Sequence, residues 1–198
     1  MNIGVDVDGV LEDLHSFLFD SGTKFFKKKY DMAPSDPTAG SIEEMFRCTE
    51  EQRRAFWWAC GAEYLLRRPC REGCKSTLAR LRKNGHRVYI ITCRALTVGR
   101  GAVSLFFRLI LRFWLMKNGL RYDGIAFCSG ERTAEDKRRA CEKLKIDVMI
   151  DDSVPNLDAV KDLARPVLFT APWNSGAADP DVTRVNSWSE VEQALRLA

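Results

Sequence analysis

The chain has 198 residues, 45% of them hydrophobic and 29% charged, with a formal net charge of +4. These values fit one full-sized globular domain with room for a modest insertion, and they exclude a disordered or collagen-like chain. Seven cysteines without a spaced framework point to reduced thiols and a cytoplasmic setting.

The first apolar run, NIGVDV at 2–7, is too short and too acidic for the core of a secretory signal, so the mature chain is expected to begin at residue 1 or 2. It reads as a strand that runs into DVDGV at 6–10. Asp is a poor strand residue, and Asp6 and Asp8 repel each other across a single residue, so their pairing needs a cause.

Further strands are expected at 86–92, 124–128, 147–151 and 166–170, each a short apolar run beside Gly, Pro or Asp. Helical patterns lie between them at 72–84, 101–118, 133–145 and 154–164. The first two end in Asn84-Gly85 and Asn118-Gly119, a helix-stop signal. A last helix is expected at 189–197, with Ser187 or Ser189 as its N-cap. This alternation implies an α/β fold, a Rossmann-like parallel sheet with helices on both faces.

The stretch between the first two strands breaks the rhythm, because it is far longer than a single crossover requires. Its content is helical (EDLHSFLFDSGTKFFKKKY, SIEEMF, EEQRRAFWWAC), so 14–71 is expected to be a small inserted cap on a core formed by 1–13 and 72–198. Lys27, Lys28 and Lys29 read as the solvated end of a helix. The apolar stretch AVSLFFRLILRFWLM at 102–116 is too short to span a bilayer and is interrupted by Arg108 and Arg112. It reads as a buried amphipathic helix, with an interfacial membrane contact as the lesser alternative.

Ligands of parallel α/β sheets bind beyond the carboxyl ends of the strands, where strand order reverses. Here those ends carry Asp6 and Asp8, Thr92-Cys93-Arg94, and Asp151-Asp152, with Lys137 in the helix before the fourth strand. If the ends converge, the carboxylates of Asp6, Asp8, Asp151 and Asp152 meet in one crevice. At 4 Å each like-charged pair costs about 4 kcal/mol at an effective dielectric of 20. Lys137 offsets one charge, and a hard divalent cation such as Mg²⁺ would offset two more while leaving room for a phosphate oxygen. The pattern therefore suits metal-dependent phosphoryl transfer.

Other readings fit less well. Counting from Asp6, a calcium loop would need Gly and Glu where Leu11 and Phe17 stand. Cys70 and Cys74 make only a C-x3-C, and neither His15 nor His86 lies at zinc-site spacing. No P-loop or G-x-G-x-x-G is present. Asp8-Gly9 as a plain turn, with Asp151-Asp152 as helix caps, explains either motif alone and not both together.

Taken in order, DVDGV at 6–10, Thr92 in IITCR, Lys137 in EDK and Asp151-Asp152 in MIDDS resemble the four motifs of the haloacid dehalogenase superfamily of phosphatases. GVLEDL, KIDVMIDDSVPNL and FTAPWN make the chain most similar to the 5′(3′)-deoxyribonucleotidases and small bacterial nucleotidases. The resemblance implies Asp6 as nucleophile, Asp8 as general acid and base, and Thr92, Cys93, Arg94 and Lys137 on the phosphoryl group. It implies Mg²⁺ held by Asp6, the Asp8 carbonyl, Asp151 and Asp152. The substrate would be a small phosphorylated metabolite, a nucleotide first and a phosphosugar second. Neither a polymeric nucleic acid nor a membrane span is implied, and a homodimer is compatible. A non-catalytic binding protein on the same scaffold is the rival, disfavoured by so complete a set of carboxylates. Cys93 stands where many relatives have Ser. Phe17, Phe46, Trp57, Trp58 and Tyr64 are available in the cap to hold a base, but adjacent Trp57 and Trp58 point about 100° apart on a helix and cannot both do so. Arg94 and Arg100 are candidates for a phosphate or sugar, with a solvated surface the simpler reading of both.

Overall fold

The computed structural model describes residues 1–99, 101–130, 132–177 and 180–196. Six parallel strands form one sheet in the order β3-β2-β1-β4-β5-β6. They are β1 (Asn2–Val5), β2 (Arg87–Thr92), β3 (Gly124–Phe127), β4 (Val148–Asp151), β5 (Arg165–Phe169) and β6 (Thr183–Val185). Their alternating side chains feed two cores. Val88 and Ile90, Val148 and Ile150, and Val167 and Phe169 join one cluster. Their neighbours Ile91, Met149 and Leu168 join the cluster on the opposite face. This period of two is how a central parallel strand buries both of its faces.

Helices α4 (Cys74–Lys83), α5 (Ala102–Lys117) and α8 (Trp188–Arg196) cover the first face. Helices α6 (Thr133–Leu144) and α7 (Val154–Asp158) cover the second. The expected stops hold: Asn84 and Asn118 cap α4 and α5, and Gly85 and Gly119 follow at φ +83° and +68°. Ser187, rather than Ser189, caps α8 by accepting the Glu190 N–H.

Between β1 and β2 the chain forms α1 (Leu14–Tyr30), α2 (Ile42–Phe46) and α3 (Glu50–Leu66). These helices share a core of their own around Phe17, Phe26, Met45, Phe46 and Phe56. A reciprocal pair of hydrogen bonds between Thr49 and Gln52 starts α3, a capping box worth about 1 kcal/mol. Lys27, Lys28 and Lys29 occupy the exposed last turn of α1, as expected.

Several expectations need correction. The first strand stops at Val5, because the Asp6 and Asp8 side chains are drawn into the polar crevice. The helix expected over 154–164 ends at Asp158; beyond it, Val160 and Leu163 donate to residues three back, tightening the chain into turns. Strand β6 went unrecognised because three residues with little apolar character give no periodic signal. The expected last helix starts one residue early, and its predicted residue 197 lies outside the described residues. Helix α5 is buried on one side only; its outer side exposes large apolar residues. Among the described residues no helix is long and apolar enough to cross a membrane.

The two adjacent tryptophans separate cleanly. Trp57 packs on Phe17, Phe56 and Tyr64, while Trp58 is 92% exposed. Phe46, with Phe17, belongs to the cap core, which leaves its ring no face for a ligand. Phe56→Ala should lower the unfolding free energy by about 3–5 kcal/mol, and Trp58→Ala should change it by less than about 0.5 kcal/mol. Urea titration of both variants checks the pair, and equal effects would contradict this packing.

Candidate active site

The sheet order reverses at β1, which pairs with β2 on one side and β4 on the other. The crevice beyond those strand ends is the place where an α/β sheet takes its ligand. The Asp6 N–H donates to the Ile150 carbonyl at 3.0 Å, carrying the β1–β4 ladder one step past the strand. That step sets Asp6 beside Asp151 and Asp152, and one carboxylate oxygen from each lies within 4.8 Å of the others. All three residues are buried.

Lys137, on the second turn of α6, reaches this cluster from the other side of the sheet. Its Nζ donates to Asp6 Oδ1 at 2.6 Å and to Asp151 Oδ2 at 2.5 Å. Burial would lower its ammonium, but Asp151 and Asp6 raise it well above the ordinary value. The carboxylates remain under strain. Burial pushes Asp6 up to about 7 against the pull of Lys137. Burial and the charges of Asp151 and Asp6 hold Asp152 well above the carboxylate range. Fully ionised, three carboxylates facing one ammonium would carry two negative charges in excess, and burial therefore favours protons on Asp6 and Asp152 until a cation takes their place. The donor set is oxygen only and hard, which fits a divalent cation such as Mg²⁺ better than zinc.

Asp8 does not point into that triad. Its carboxylate accepts hydrogen bonds from Arg94 Nε at 3.1 Å and from the Tyr64 hydroxyl of α3. Arg94 Nη2 also donates to Glu12 Oε2 at 2.6 Å, and both Arg94 and Glu12 are buried. Burial raises the Asp8 carboxyl, yet the charge and hydrogen bonds of Arg94, with that of Tyr64, outweigh it and hold Asp8 below its usual value. Glu12, with less compensation, is pushed up to about 8 by burial despite Arg94. The acidic residues therefore form two groups, each built around its own cation: Lys137 with Asp6 and Asp151, and Arg94 with Asp8 and Glu12.

Local chain geometry keeps the two groups in register. Gly9 turns at φ +90°, and a Cβ there would collide with the Asp152 carboxylate, so the residue after Asp8 must be glycine. Asp151 Oδ1 accepts the Ser153 N–H at 2.9 Å, and Asn156 Nδ2 approaches both Asp151 oxygens at 3.3 Å. Asn174 Nδ2 holds the Asp152 carbonyl at 2.7 Å and the Phe169 carbonyl at 2.9 Å. In the same FTAPWN segment, Trp173 packs against Gly9 after β1 and Gly40 between α1 and α2.

The sequence-predicted residues thus meet at one place. Thr92 is fully buried at the end of β2, and its hydroxyl accepts the Arg94 N–H at 3.2 Å. Cys93 is half-buried beside Thr133. Arg94 is not the solvated arginine that its side-chain type suggests, because Asp8 and Glu12 draw it inside; Arg100 lies outside the described residues. Sequence reasoning missed Glu12, Asn156 and Asn174, and took Tyr64 only as an aromatic surface. The one available signal was Glu12, a carboxylate that directly follows the apolar pair Val10-Leu11.

The profile of the family described as 5′ nucleotidase, deoxy (pyrimidine), cytosolic type C protein (NT5C) matches residues 1–198. A provisionally named nucleotidase of Bacillus cereus is 26% identical over 204 residues, covering 99% of this chain and 98% of its own length. Among solved structures, a predicted phosphatase from Clostridium acetobutylicum superposes with a TM-score of 0.66 at 20% identity, over 100% of this chain and 98% of that one. The D,D-heptose 1,7-bisphosphate phosphatase from B. bronchiseptica, complexed with magnesium and phosphate, superposes with a TM-score of 0.55 at 17% identity, over 100% and 99%. Sheet, site and sequence together define a phosphomonoester hydrolase of the haloacid dehalogenase superfamily. Within that superfamily the chain belongs to the NT5C family.

Without a divalent cation, the folded chain holds protons on Asp6 and Glu12, raised to about 7 and about 8, that the unfolded chain releases near 3.8 and 4.5. A raised carboxyl contributes stability that is complete below its unfolded value and is lost as pH climbs through its folded value. In chelator, the melting temperature should therefore fall as the buffer is taken from about pH 5 to about pH 9. Glu12→Gln should make that decline shallower. Thermal scans across this range check it, and identical slopes would contradict a protonated Glu12.

Proposed function

We propose that this protein is a Mg²⁺-dependent nucleotidase that removes phosphate from deoxyribonucleoside monophosphates through an aspartyl-phosphate. The observation that carries the reading is the bridge of Lys137 between Asp6 and Asp151, with Asp152 alongside. A Mg²⁺ ion held by Asp6, Asp151, Asp152 and the Asp8 carbonyl would neutralise the excess charge and act as a Lewis acid on a phosphoryl oxygen. The magnesium and phosphate named with the heptose bisphosphate phosphatase support that assignment.

Asp6 is the nucleophile in this scheme: one of its oxygens forms a bond to phosphorus as the ester oxygen departs. Lys137 orients Asp6 and, together with a bound cation, would hold it ionised, while the Thr92 hydroxyl with the N–H groups after it steadies the phosphoryl oxygens. Arg94 and Cys93 lie beside that position, Arg94 acting through Asp8. Asp8 gives a proton to the leaving alkoxide, then takes one from the water that attacks phosphorus and frees Asp6. With Arg94 and Tyr64 holding it ionised, Asp8 is set for the second of these duties. An incoming phosphate dianion, a like charge nearby, raises it toward the protonated form needed for the first.

Residues 14–71 act as the cap over a core of 1–13 and 72–198. The family description and the Trp57–Tyr64 contact beside Asp8 support a nucleotide. A cytosolic location accords with that description and with the seven free cysteines.

Asp6→Asn should lower turnover by a factor on the order of 10⁴ or more without loss of fold, measured as phosphate release and circular dichroism. Turnover retained in that variant would reject the nucleophile. EDTA should silence the enzyme and Mg²⁺ restore it. In a panel of phosphorylated metabolites, deoxyribonucleoside monophosphates should give the highest kcat/KM; a phosphosugar at the top would replace the substrate and leave the chemistry intact.

A further inference from the structure

Helix α5 is apolar on two opposite sides. Ser104, Leu111, Trp114 and Leu115 are buried against the core. On the other side Val103, Leu105, Phe106, Leu109, Phe113 and Met116 are each between 48% and 68% exposed. Ala102, Phe106, Leu109, Phe113 and Met116 recur at alternating steps of four and three, the spacing of a seam between two paired helices. A solvated helix in a monomer places polar residues there instead.

The cations of α5 are engaged by groups of the protein itself, although Arg112 and Lys117 stay exposed. Arg108 donates to the Thr97 carbonyl at 2.6 Å and the Gly99 carbonyl at 3.0 Å, and its guanidinium lies over the Phe127 ring. Arg112 lies over the same ring and reaches the Tyr122 hydroxyl. The Lys117 ammonium donates to the Leu66 carbonyl at 2.8 Å. A membrane-surface helix needs such groups free to pair with phosphate headgroups. Here the protein's own surface engages them, and the exposed face between them is apolar, which suits a protein surface better than lipid headgroups.

We propose that this face docks a second copy of the chain, α5 against α5, antiparallel about a two-fold axis at Leu109. The seam is close to a palindrome about that residue: Phe106 comes opposite Phe113, and small Ala102 opposite long Met116, so large and small side chains interlock. Charge selects the same orientation. Helix α5 has no acidic residue. A parallel pair would bring Arg112 of one copy toward Lys117 of the other along the seam edge, a repulsive e/g contact. The antiparallel pair sets Arg112 beside Leu105 of the second copy and Lys117 beside its Val103. Six large side chains offering roughly 100 Å² each would remove about 1,200 Å² from water over both copies, the lower end of the range for specific interfaces.

Docking there also reaches the segment that leads from α3 to α4. Trp114 on the inner side of α5 donates its indole N–H to the Arg68 carbonyl at 2.8 Å, and its ring lies 6.0 Å from the Arg94 guanidinium. A second copy thus braces the helix that backs Arg94. The inference rests on the surface of α5 and not on the substrate or metal assignment.

Sedimentation equilibrium of the full chain, whose mass is 22.5 kDa, should give a dimer at micromolar concentration. Phe106→Glu with Phe113→Glu should give a monomer whose circular dichroism and p-nitrophenyl phosphate turnover stay within about twofold of the parent. A monomeric parent, or a dimer that survives these changes, overturns the proposal. Should the double variant fail to fold, single cysteines decide. Under mild oxidation Leu109→Cys should form a covalent dimer beyond the parent's background and Phe106→Cys should not; linking at both positions indicates a parallel pair and rejects the two-fold axis. A parent that stays monomeric but sediments with phosphatidylserine vesicles would assign the face to a membrane and likewise overturn the proposal.

Discussion

Lys137 lies between the carboxylates of Asp6 and Asp151, and the rest of the site is arranged around that bridge. The two aspartates come from the ends of strands β1 and β4, separated in sequence by six helices and two strands, and their like charges oppose the packing that brings the strands together. One buried ammonium meets both of them. It arrives from α6, the helix that leads into β4, so the connection that builds the parallel sheet also supplies the ion that makes its polar end tolerable. Removing one partner of such a buried set leaves an uncompensated charge, which costs about 3–5 kcal/mol. The compensation is incomplete: Asp152 completes an oxygen-lined cluster whose full ionisation one ammonium cannot balance, so the Asp6 and Asp152 carboxyls are held above their usual range. Such a cluster at the switch point of the sheet is suited to a divalent cation.

A second balance lies beside the first. Asp8 and Glu12 share Arg94, and Tyr64 from α3 adds its hydroxyl to Asp8. Asp8 is thereby turned out of the triad and tied to the helices inserted between β1 and β2. The state of Asp8 and the seating of those helices are linked through one phenol. Trp173 makes a second contact of this kind, closing over Gly9 from the segment that also fixes the Asp152 backbone. Both contacts tie the inserted helical segment to the loop after β1, one at Asp8 and the other at Gly9.

Much of this was legible in the residues alone. Alternating apolar runs and helical periods dictate a parallel α/β sheet, because a strand with hydrophobic residues on both faces needs helices above and below it. Asn84-Gly85 and Asn118-Gly119 end their helices by local backbone preference, which needs no tertiary partner. Asp6, Asp8, Thr92, Asp151 and Asp152 could be singled out because each stands at or near the end of an apolar run, and Lys137 through its place in the helix before the fourth strand and its match to a family motif.

What sequence could not decide were the relations that depend on which elements become neighbours. Charge type alone puts an arginine on the surface, yet Arg94 is buried because Asp8 and Glu12 meet it from distant turns. Asp8 was assigned with the other carboxylates, and only the approach of α3 and the loop after β2 draws it aside. The stretch at 102–116 announced a helix, but which of its two apolar sides is covered depends on where the sheet and the segment after α3 lie. Local preferences are encoded residue by residue and survive without context. Burial and charge pairing are properties of contacts between remote segments, and they exist only once the chain has folded.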